Sequence, residues 1–336
     1  MLDKSMILSI ETSCDETSIA ILKNGKELLA NIVSSQINKH KEFGGVMPEL
    51  ASRLHLENIM YCIDAALKEA KIDYKDITVI AYTKGPGLIG ALHVGLQAAK
   101  AISIAYNIPL LGVDHMKGHI YSSRYISDFK FPLLTLVVSG GHSELVLMED
   151  EYKFILLGET KDDAVGECYD KVARVLGLEY PGGPIIDRLA KEGTNKYSLP
   201  YPKVEGKYDF SFSGLKTAVL NLVNNMKQKG EEFKSEDVAT SFQNKVVQIL
   251  TDKVVLALDE YRVNQVLLAG GVSANKELRE TIVRRVKEKN ENIDVVLPPL
   301  WCCTDNAAMT AMAAYYSDED ESSIDEGVNP SLELND

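Results

Sequence analysis

The chain has 336 residues, of which 45% are hydrophobic and 25% are charged, and this composition is typical of a soluble globular protein large enough for two hydrophobic cores. Its net charge of -13 argues against a protein that binds nucleic acid through an overall basic surface, although eight of the acids lie in residues 317–336 and the net charge without them is -5. The apolar run near the start is short and no stretch approaches the roughly 18 residues of a membrane span, so we expect neither a secreted nor a membrane-spanning protein.

The five cysteines are scattered and include no CxxC pair, which favours a reducing, cytoplasmic compartment over a disulfide framework. Cys302 and Cys303 are adjacent, and two interpretations are open for them: metal or thiol chemistry, or burial as small residues. Adjacent side chains of an extended segment point in opposite directions, which favours burial.

Hydrophobic periodicity predicts alternating strands and helices in the first half of the chain. The predicted elements are strands over 6–12 and 18–22, a helix over 48–70, a strand over 77–87, a helix over 90–106 and a strand over 108–113. The first two strands form a hairpin around a polar turn at residues 14–16. The later elements follow the order of an α/β lobe, with a glycine turn between strand and helix.

A second hairpin is predicted over residues 133–148, where two apolar strands flank the tight turn GGHS. Helical patterns dominate from 160 to 260, and residues 263–286 return to a strand, a glycine turn and a helix. The repeated hairpin suggests an internal duplication, one copy in each of two lobes, with a nucleotide in the cleft between them. We therefore expect an N-terminal lobe over 1–114, a metal-binding helix and connection over 115–132, a C-terminal lobe with a helical insertion over 133–316, and a disordered acidic tail over 317–336.

The sharpest local pattern is the pair His115 and His119, four residues apart on a predicted helix. This spacing brings both imidazoles to one face, as a single metal ion requires, and two ordinary histidines are the alternative. A metalloprotease would need Glu directly after the first histidine, where this chain has Met116. Asp305 lies at a predicted helix start, where Asp305 or Thr304 could be the N-cap. Asp305 could instead be an oxygen ligand for the histidine pair.

Two glycine turns are candidate ligand sites. GGHS over 140–143 and AGGVSAN over 269–275 each follow an apolar strand. Their backbone N–H groups could contact a phosphate, ribose or base, although such turns also occur without ligands.

An acidic helix face is a third candidate. Asp163, Glu167 and Asp170 share one side of an amphipathic helix predicted over 162–176. They could bind ribose hydroxyls or a cation, or the face could be solvated, with an ion pair between Asp170 and Arg174.

Ten short motifs, in this order, resemble the bacterial TsaD family of tRNA N6-adenosine threonylcarbamoyltransferases, once described as glycoproteases. The motifs are IETSCDET (10–17), PELASRLH, GPGLIGAL, HMKGH, VSGGHS, GECYDKVARVLGL, YPGGP, FSFSGLKTAV, GGVSAN and CTDNAAM (303–309). The resemblance covers nearly the whole chain. It implies an α/β, two-lobed actin-like (ASKHA) fold with duplicated, hairpin-led subdomains.

The resemblance also implies site residues. A metal ion, Fe²⁺ or Zn²⁺, would be held by His115, His119 and Asp305, with Ser139 as a possible further ligand. The implied substrate contacts are Val137, Val138, Ser139, Gly140, Gly141, Asp170, Gly183, Asp187 and Asn275.

Lys117 departs from the family's pattern, whereas Asp15 matches it. The family commonly has Glu where this chain has Lys117, between the two histidines, and that position is expected to face away from the ion. Asp15, with Glu16, matches an acidic pair of the family and is the candidate general base, or a residue that positions groups or a cation.

The implied reaction transfers threonylcarbamoyl from threonylcarbamoyl-AMP to N6 of the adenosine 3′ to the anticodon, position 37, in tRNAs that read codons beginning with adenine. The product is t6A. The implied partners are tRNA, an actin-like paralogue resembling TsaB, and a P-loop ATPase resembling TsaE, with no membrane partner. An ATP-dependent small-molecule kinase and a non-catalytic actin-like scaffold are the alternatives that remain open.

Overall fold

The structure, a computed structural model, describes residues 2–334, which divide into two compact units. One unit comprises residues up to 128 together with those from 304 onward, and the other comprises residues 129–303. No helix within the described residues combines the length and apolar character needed to cross a bilayer.

The strands, in chain order, are β1 (Met6–Glu11), β2 (Glu16–Lys23), β3 (Glu27–Ser35), β4 (Val79–Gly85), β5 (Leu110–Asp114), β6 (Leu133–Val138), β7 (Ser143–Asp150), β8 (Lys153–Glu159), β9 (Gln265–Ala269) and β10 (Asp294–Val296). The helices are α1 (Ile37–His40), α2 (Pro48–Ala70), α3 (Ile89–Tyr106), α4 (His115–Tyr121), α5 (Val165–Val175), α6 (Gly182–Leu189), α7 (Ser213–Lys229), α8 (Ser235–Glu260), α9 (Lys276–Lys289) and α10 (Ala307–Tyr316). Short 3₁₀ turns connect several of them.

Each unit contains one five-stranded sheet, and the two sheets have the same topology. The first has the order β3-β2-β1-β4-β5 and the second, read from its other edge, β8-β7-β6-β9-β10. In both, the first three strands pair antiparallel and the last two continue in parallel. The structure thus confirms the predicted duplication and the hairpin that opens each copy.

Apolar side chains on the sheets and helices form a separate core in each unit. In the first, Leu8 and Ile10 of β1 belong to a cluster with residues of α2 and α3. In the second, the aromatic residues Tyr169, Phe210 and Phe242 are almost fully inaccessible to solvent and join α5, α8 and the sheet. Burial on this scale, at roughly 25 cal/mol per Å² of apolar surface, is the main stabilising contribution.

The predicted end of the C-terminal lobe at residue 316 differs from the structure, because residues from 304 onward belong to the first unit. Helix α10 contacts β1, β2 and α4 there. Ser9 donates a hydrogen bond to the carbonyl of Ala307 at 2.7 Å, and the Ala307 amide donates to Ser18 Oγ at 2.8 Å. Eight of the ten helix residues are buried, so an apolar helix that follows the second unit in sequence completes the core of the first.

The prediction of a disordered acidic tail is wrong for residues 317–334, which we call the C-terminal strap. The Ser322 amide donates to the carbonyl of Leu110 at 2.8 Å, and the Asn329 amide donates to that of Lys84 at 2.9 Å. Glu326 pairs with Lys84, and Leu334 is buried. The strap is ordered because these backbone bonds, the ion pairs of Glu319 and Glu326 with lysines and the burial of Leu334 hold it to the rest of the first unit. Asp336, which the prediction included, lies outside the described residues.

Candidate active site

The two histidines lie on α4, which begins directly after β5. Asp114, the last residue of that strand, caps the helix, because its Oδ1 accepts a hydrogen bond from the Lys117 amide at 2.8 Å. One helical turn separates His115 from His119, so their rings lie side by side, edge to face, with centroids 4.7 Å apart and planes at 80°. The sequence prediction of a helical histidine pair on one face is confirmed.

Asp305 completes a cluster with these histidines, all within the first unit. Its Oδ1 lies 3.6 Å from His115 Nε2 and 3.2 Å from His119 Nε2. One ligand atom from each of the three residues lies within 4.8 Å of the other two. The N-cap of α10 is Asn306, whose Oδ1 accepts from the Ala308 amide at 3.1 Å, so the expectation that Thr304 or Asp305 caps the helix is wrong.

The cluster fits a metal ion on its own geometry. The ring of His119 is 0% exposed, and among the described residues neither of its nitrogens makes a hydrogen bond: Nδ1 has no partner, and the contact of Nε2 with Asp305 lacks the alignment of a hydrogen bond. An unsatisfied buried polar group costs about 1–3 kcal/mol, which a bound cation would offset. Two imidazoles and one carboxylate are a donor set that Zn²⁺ and Fe²⁺ both accept, so this group could bind a metal.

Glu11, which the sequence analysis missed, is a second carboxylate beside the cluster. It is 0% exposed, and its Oε2 lies 3.2 Å from His115 Nδ1, on the side of the ring away from Asp305. Burial alone would disfavour the charged imidazole, but Asp305 and Glu11 outweigh burial and raise the pKa of His115 to about 9. A carboxylate behind a ligating histidine fixes its tautomer and increases its basicity. The only signal in the sequence was an acid at the end of an apolar strand.

The turn between β1 and β2 brings further acids into this region. Asp15 and Glu16 are both buried. Burial raises the pKa of Glu16 to about 10, and the charges of Asp15 and Asp305 act in the same direction. Lys117 lies 3.5 Å from Glu319 of the strap, so its side chain is engaged there rather than with the ligand atoms.

A pocket of about 360 Å³ lies in the second unit. Five of the predicted substrate contacts line it, namely Gly140, Asp170, Gly183, Asp187 and Asn275. The other four are neighbours of Gly140 in the chain and are not part of the lining: Val137 and Val138 are buried in β6, Gly141 follows Gly140 in the GGHS turn, and Ser139 Oγ accepts a hydrogen bond from the His142 amide at 3.1 Å. The lining also includes Gly271 and Val272 of the second predicted glycine turn, together with Gly166, Tyr169 and Leu300, which the sequence analysis did not single out.

Two glycines are required by the backbone around this pocket. A Cβ at Gly166 would lie 2.6 Å from the carbonyl oxygen of Ser139, so only glycine lets α5 approach the GGHS turn so closely. Gly270 has φ +84° and its Cβ would lie 2.5 Å from the carbonyl oxygen of Val138. The glycine turns predicted as ligand sites therefore lie against each other at one end of the sheet.

The acidic face predicted on α5 divides into two parts. Asp163 precedes the helix and, with Glu167, pairs with Lys171. Asp170 instead accepts a hydrogen bond from the Gly182 amide at 2.7 Å. Burial raises the pKa of Asp170, and this hydrogen bond offsets only part of the increase. Asp170 therefore holds the turn that forms one wall of the pocket.

Asn275 and Asp187 are joined by a residue that the sequence analysis missed. The Asn275 side chain caps α9 by accepting from the Leu278 amide at 2.9 Å, and it donates to Gln243 Oε1 at 2.7 Å. Gln243 in turn donates to Asp187 Oδ1 at 3.2 Å. A glutamine within a long helix carries no local signal of this role.

The adjacent cysteines Cys302 and Cys303, at the end of the second unit, are free thiols and both are buried. Burial raises the pKa of Cys302 to about 12 and that of Cys303 above its usual value, which disfavours the reactive thiolate. The buried-residue interpretation is confirmed.

Comparison with known proteins gives a consistent result. Residues 27–312 match the model of the family described as TsaD, tRNA N6-adenosine threonylcarbamoyltransferase. The protein of that name from Bacillus subtilis (strain 168) is 54% identical over 331 residues, covering 98% of this chain and 95% of that protein, and the one from Halalkalibacterium halodurans is 53% identical over 337 residues, covering 99% and 98%.

Solved structures with lower identity share the fold. Full-length HypF in a phosphate- and nucleotide-bound form has a TM-score of 0.61 at 16% identity, covering 94% of this chain and 46% of HypF. The activator of the 2-hydroxyisocaproyl-CoA dehydratase from Clostridium difficile has a TM-score of 0.53 at 14% identity, covering 93% and 94%. Together with the duplicated sheets, these likenesses confirm the predicted actin-like (ASKHA) α/β fold.

Proposed function

This chain belongs to the TsaD family of tRNA N6-adenosine threonylcarbamoyltransferases, and from that premise we propose how its own residues serve the reaction. It is an acyltransferase that moves the threonylcarbamoyl group of threonylcarbamoyl-AMP to N6 of adenosine 37 in tRNAs that read codons beginning with adenine, forming t6A. The observation that carries the assignment is identity of 54% over nearly the full length of relatives with this activity in their names. The kinase and scaffold alternatives are not favoured.

His115, His119 and Asp305 would hold one divalent ion, Fe²⁺ or Zn²⁺. The support is the buried, unsatisfied ring of His119 and the spacing of the three ligand atoms. When bound, such an ion acts as a Lewis acid that polarises carbamoyl or phosphate oxygens. Glu11 keeps the Nδ1 position of His115 occupied, so that Nε2 is the nitrogen directed toward Asp305.

The pocket of the second unit would bind the adenylate part of threonylcarbamoyl-AMP. Gly140 and Gly141 follow β6 with no side chain to restrict access, since the space where a Cβ would stand is open at both. Their backbone N–H groups would stabilise the anionic AMP as it leaves. Asp187 and Asn275 would contact its polar groups, while the turn held by Asp170 shapes the wall beside Gly183.

The chemical step is attack of the adenosine N6 amine on the carbamoyl carbon. The new C–N bond replaces the C–O bond to phosphate, AMP departs with the electron pair, and the amine gives up one proton. Asp15 is the candidate acceptor of that proton, because it is a buried carboxyl group in the turn between β1 and β2. Holding two large reactants in place supplies much of the acceleration.

An acidic enzyme of this kind would meet its tRNA in the cytoplasm with protein partners, a TsaB-like actin-fold paralogue and a TsaE-like P-loop ATPase. The support for a protein partner is the exposed apolar surface of α2, where Leu56, Met60 and Tyr61 are each more than half exposed. No membrane partner is proposed.

The test is transfer of threonylcarbamoyl from purified threonylcarbamoyl-AMP to unmodified tRNA, with both partner proteins present. We expect His115→Ala to remove activity and bound metal while the protein stays folded, and Asp15→Asn to reduce kcat with metal retained. His93→Ala, an exposed histidine of α3, is the matched control and should retain full activity. Absence of transfer by the wild-type protein, under conditions where a B. subtilis relative works, would refute the proposal.

A further inference from the structure

Gln243 lies in the middle of α8, 3% exposed, and forms the link between two residues of the ligand pocket. A buried amide is costly unless both its oxygen and its nitrogen are satisfied. Here the oxygen accepts from Asn275 and the nitrogen donates to Asp187. Neither Gln243 partner is on its own helix, so the bonds do not serve the local stability of α8.

These bonds belong to a series of hydrogen bonds, and the groups at its two ends fix which partner donates and which accepts. At one end the Leu278 backbone N–H, which can only donate, bonds to Asn275 Oδ1 at 2.9 Å. At the other end the carboxylate of Asp187 accepts from Gln243, and its second oxygen accepts from Lys191 at 3.0 Å. A backbone N–H stands at one end of this series of hydrogen bonds and a carboxylate at the other. The side-chain amides of Asn275 and Gln243 can therefore make all the bonds in only one orientation of each amide.

The fixed orientation decides what the pocket offers to a ligand. The N–H of Asn275 that Gln243 does not use donates to Tyr169 Oη at 3.5 Å, a long hydrogen bond that a ligand hydroxyl can replace. Asp187 keeps acceptor capacity on both oxygens beyond its bonds to Gln243 and Lys191. One wall of the pocket thus presents a donor beside an acceptor, and two adjacent hydroxyls of a ribose can accept from the first and donate to the second.

We propose that Gln243 is a positioning residue of the ligand pocket, which sets the Asn275 amide and the Asp187 carboxylate to recognise the ribose hydroxyls of an adenine nucleotide. The inference deepens the proposed function and rests on it, since the nucleotide is the AMP part of the substrate. Without the Gln243 bonds, Asn275 and Asp187 lose the constraint between them, and the pocket loses its preference for a ligand with both hydroxyls.

The test compares binding of AMP and 2′,3′-dideoxy-AMP to the full-length protein by isothermal titration calorimetry. We expect the wild type to bind AMP more tightly than the dideoxy analogue. Gln243→Met keeps the side-chain length but removes both bonds, and we expect about tenfold weaker AMP binding with little change for the analogue, the loss of one charge-assisted hydrogen bond. Gln243→Glu keeps the acceptor for Asn275 but places a second carboxylate against Asp187, and the AMP loss should be at least as large.

Gln248→Met is the matched control, because Gln248 is an exposed glutamine of the same helix. It should leave both affinities at wild-type values. Thermal unfolding of each variant separates a structural role from a positioning role: a purely structural Gln243 would lower the melting temperature and leave the AMP preference of the folded protein intact.

Retention of the wild-type ratio of AMP to dideoxy-AMP affinity in both Gln243 variants would overturn the inference and leave the transferase assignment untouched. If Gln243→Met does not fold, the ratio in Gln243→Glu decides alone. A wild type that transfers threonylcarbamoyl but shows no preference for AMP also overturns it. A wild type that neither transfers nor binds AMP overturns the proposed function and the inference together.

Discussion

Replacing His119 by leucine should stabilise the metal-free protein while removing its metal site. The side chain is fully buried, and among residues 2–334 neither ring nitrogen makes a hydrogen bond, although Nε2 lies 3.2 Å from Asp305 Oδ1 without the alignment that such a bond requires. Each unsatisfied buried polar group costs about 1–3 kcal/mol, whereas leucine fills a similar volume without polar atoms. In the variant the Asp305 carboxylate still has the His115 imidazole 3.6 Å away, so it keeps a partner of opposite charge.

The expected magnitude is a gain of about 2 kcal/mol in the free energy of unfolding of the metal-free protein. The first unit has about 160 residues, and for that size a change of 1 kcal/mol moves the melting temperature by roughly 2–4 °C. We therefore expect a melting temperature about 4–8 °C above that of chelator-treated wild type. With the ion at about 1,000 times its dissociation constant, the wild type gains about 4 kcal/mol and the order of stabilities reverses.

The assay is urea and thermal unfolding of both proteins, once with a strong chelator and once with Zn²⁺ or, under anaerobic conditions, Fe²⁺. His93→Leu on α3 controls for a histidine-to-leucine change at an exposed position and should respond to the ion as the wild type does. A metal-free His119→Leu protein that is less stable than metal-free wild type by about 1 kcal/mol or more would show that the packing of the ring and its contact with Asp305 outweigh the cost of its unsatisfied nitrogens. A variant that still binds one equivalent of ion tightly would show that His119 is not a ligand.

Three further predictions concern the surroundings of this cluster. Glu11→Gln should weaken metal binding about 10–100-fold, since it removes the charge behind His115, and a chelator competition titration that gives wild-type affinity would contradict this. Metal affinity, measured by competition with a chelator, should rise with pH from 7 and level off above about 9, because the folded-state pKa of His115 is raised to about 9 and the ion must displace that proton. The same raised pKa stabilises the metal-free protein below pH 6.5, and this contribution is lost as pH rises through 9. Removal of residues 318–336 should lower the melting temperature by several degrees, because the bonds of Ser322 and Asn329 to the first unit are lost, and calorimetry that finds no change would mean that the strap contributes no stability.

Local sequence signals predicted the elements whose causes are local. Helix α2 was placed at its observed bounds because Pro48 suits the first helical turn and the apolar spacing persists to Ala70, where Lys71 in the left-handed region (φ 56°) ends it. The histidine pair was predictable for the same reason, as its geometry follows from helical spacing alone. For Asp305 the sequence leaves two roles open, helix cap or ligand of the histidine pair, and the family resemblance favours the ligand role, because no local pattern links residues so far apart.

The features that sequence reasoning missed depend on contacts between distant segments. The position of α10 against β1 depends on bonds such as that from Ser9 to Ala307, 298 residues apart. The charge of the strap predicts disorder, yet the lysines that pair with Glu319 and Glu326 lie some 200 residues earlier in the chain. Glu11 and Gln243 act through partners far along the chain, and their own neighbours in sequence give no hint of it.

The second unit is inserted between the two parts of the first, and this order has a consequence for synthesis. About 190 residues separate His119 from Asp305, so at 5–20 residues per second a ribosome needs roughly 10–40 seconds to deliver the third ligand after the second. During that time the face of β1 and β2 that α10 covers has no partner from the nascent chain. A chain that stops before residue 305 holds both histidines but lacks the Asp305 carboxylate, so we expect truncated molecules to retain the metal ion less tightly than finished ones.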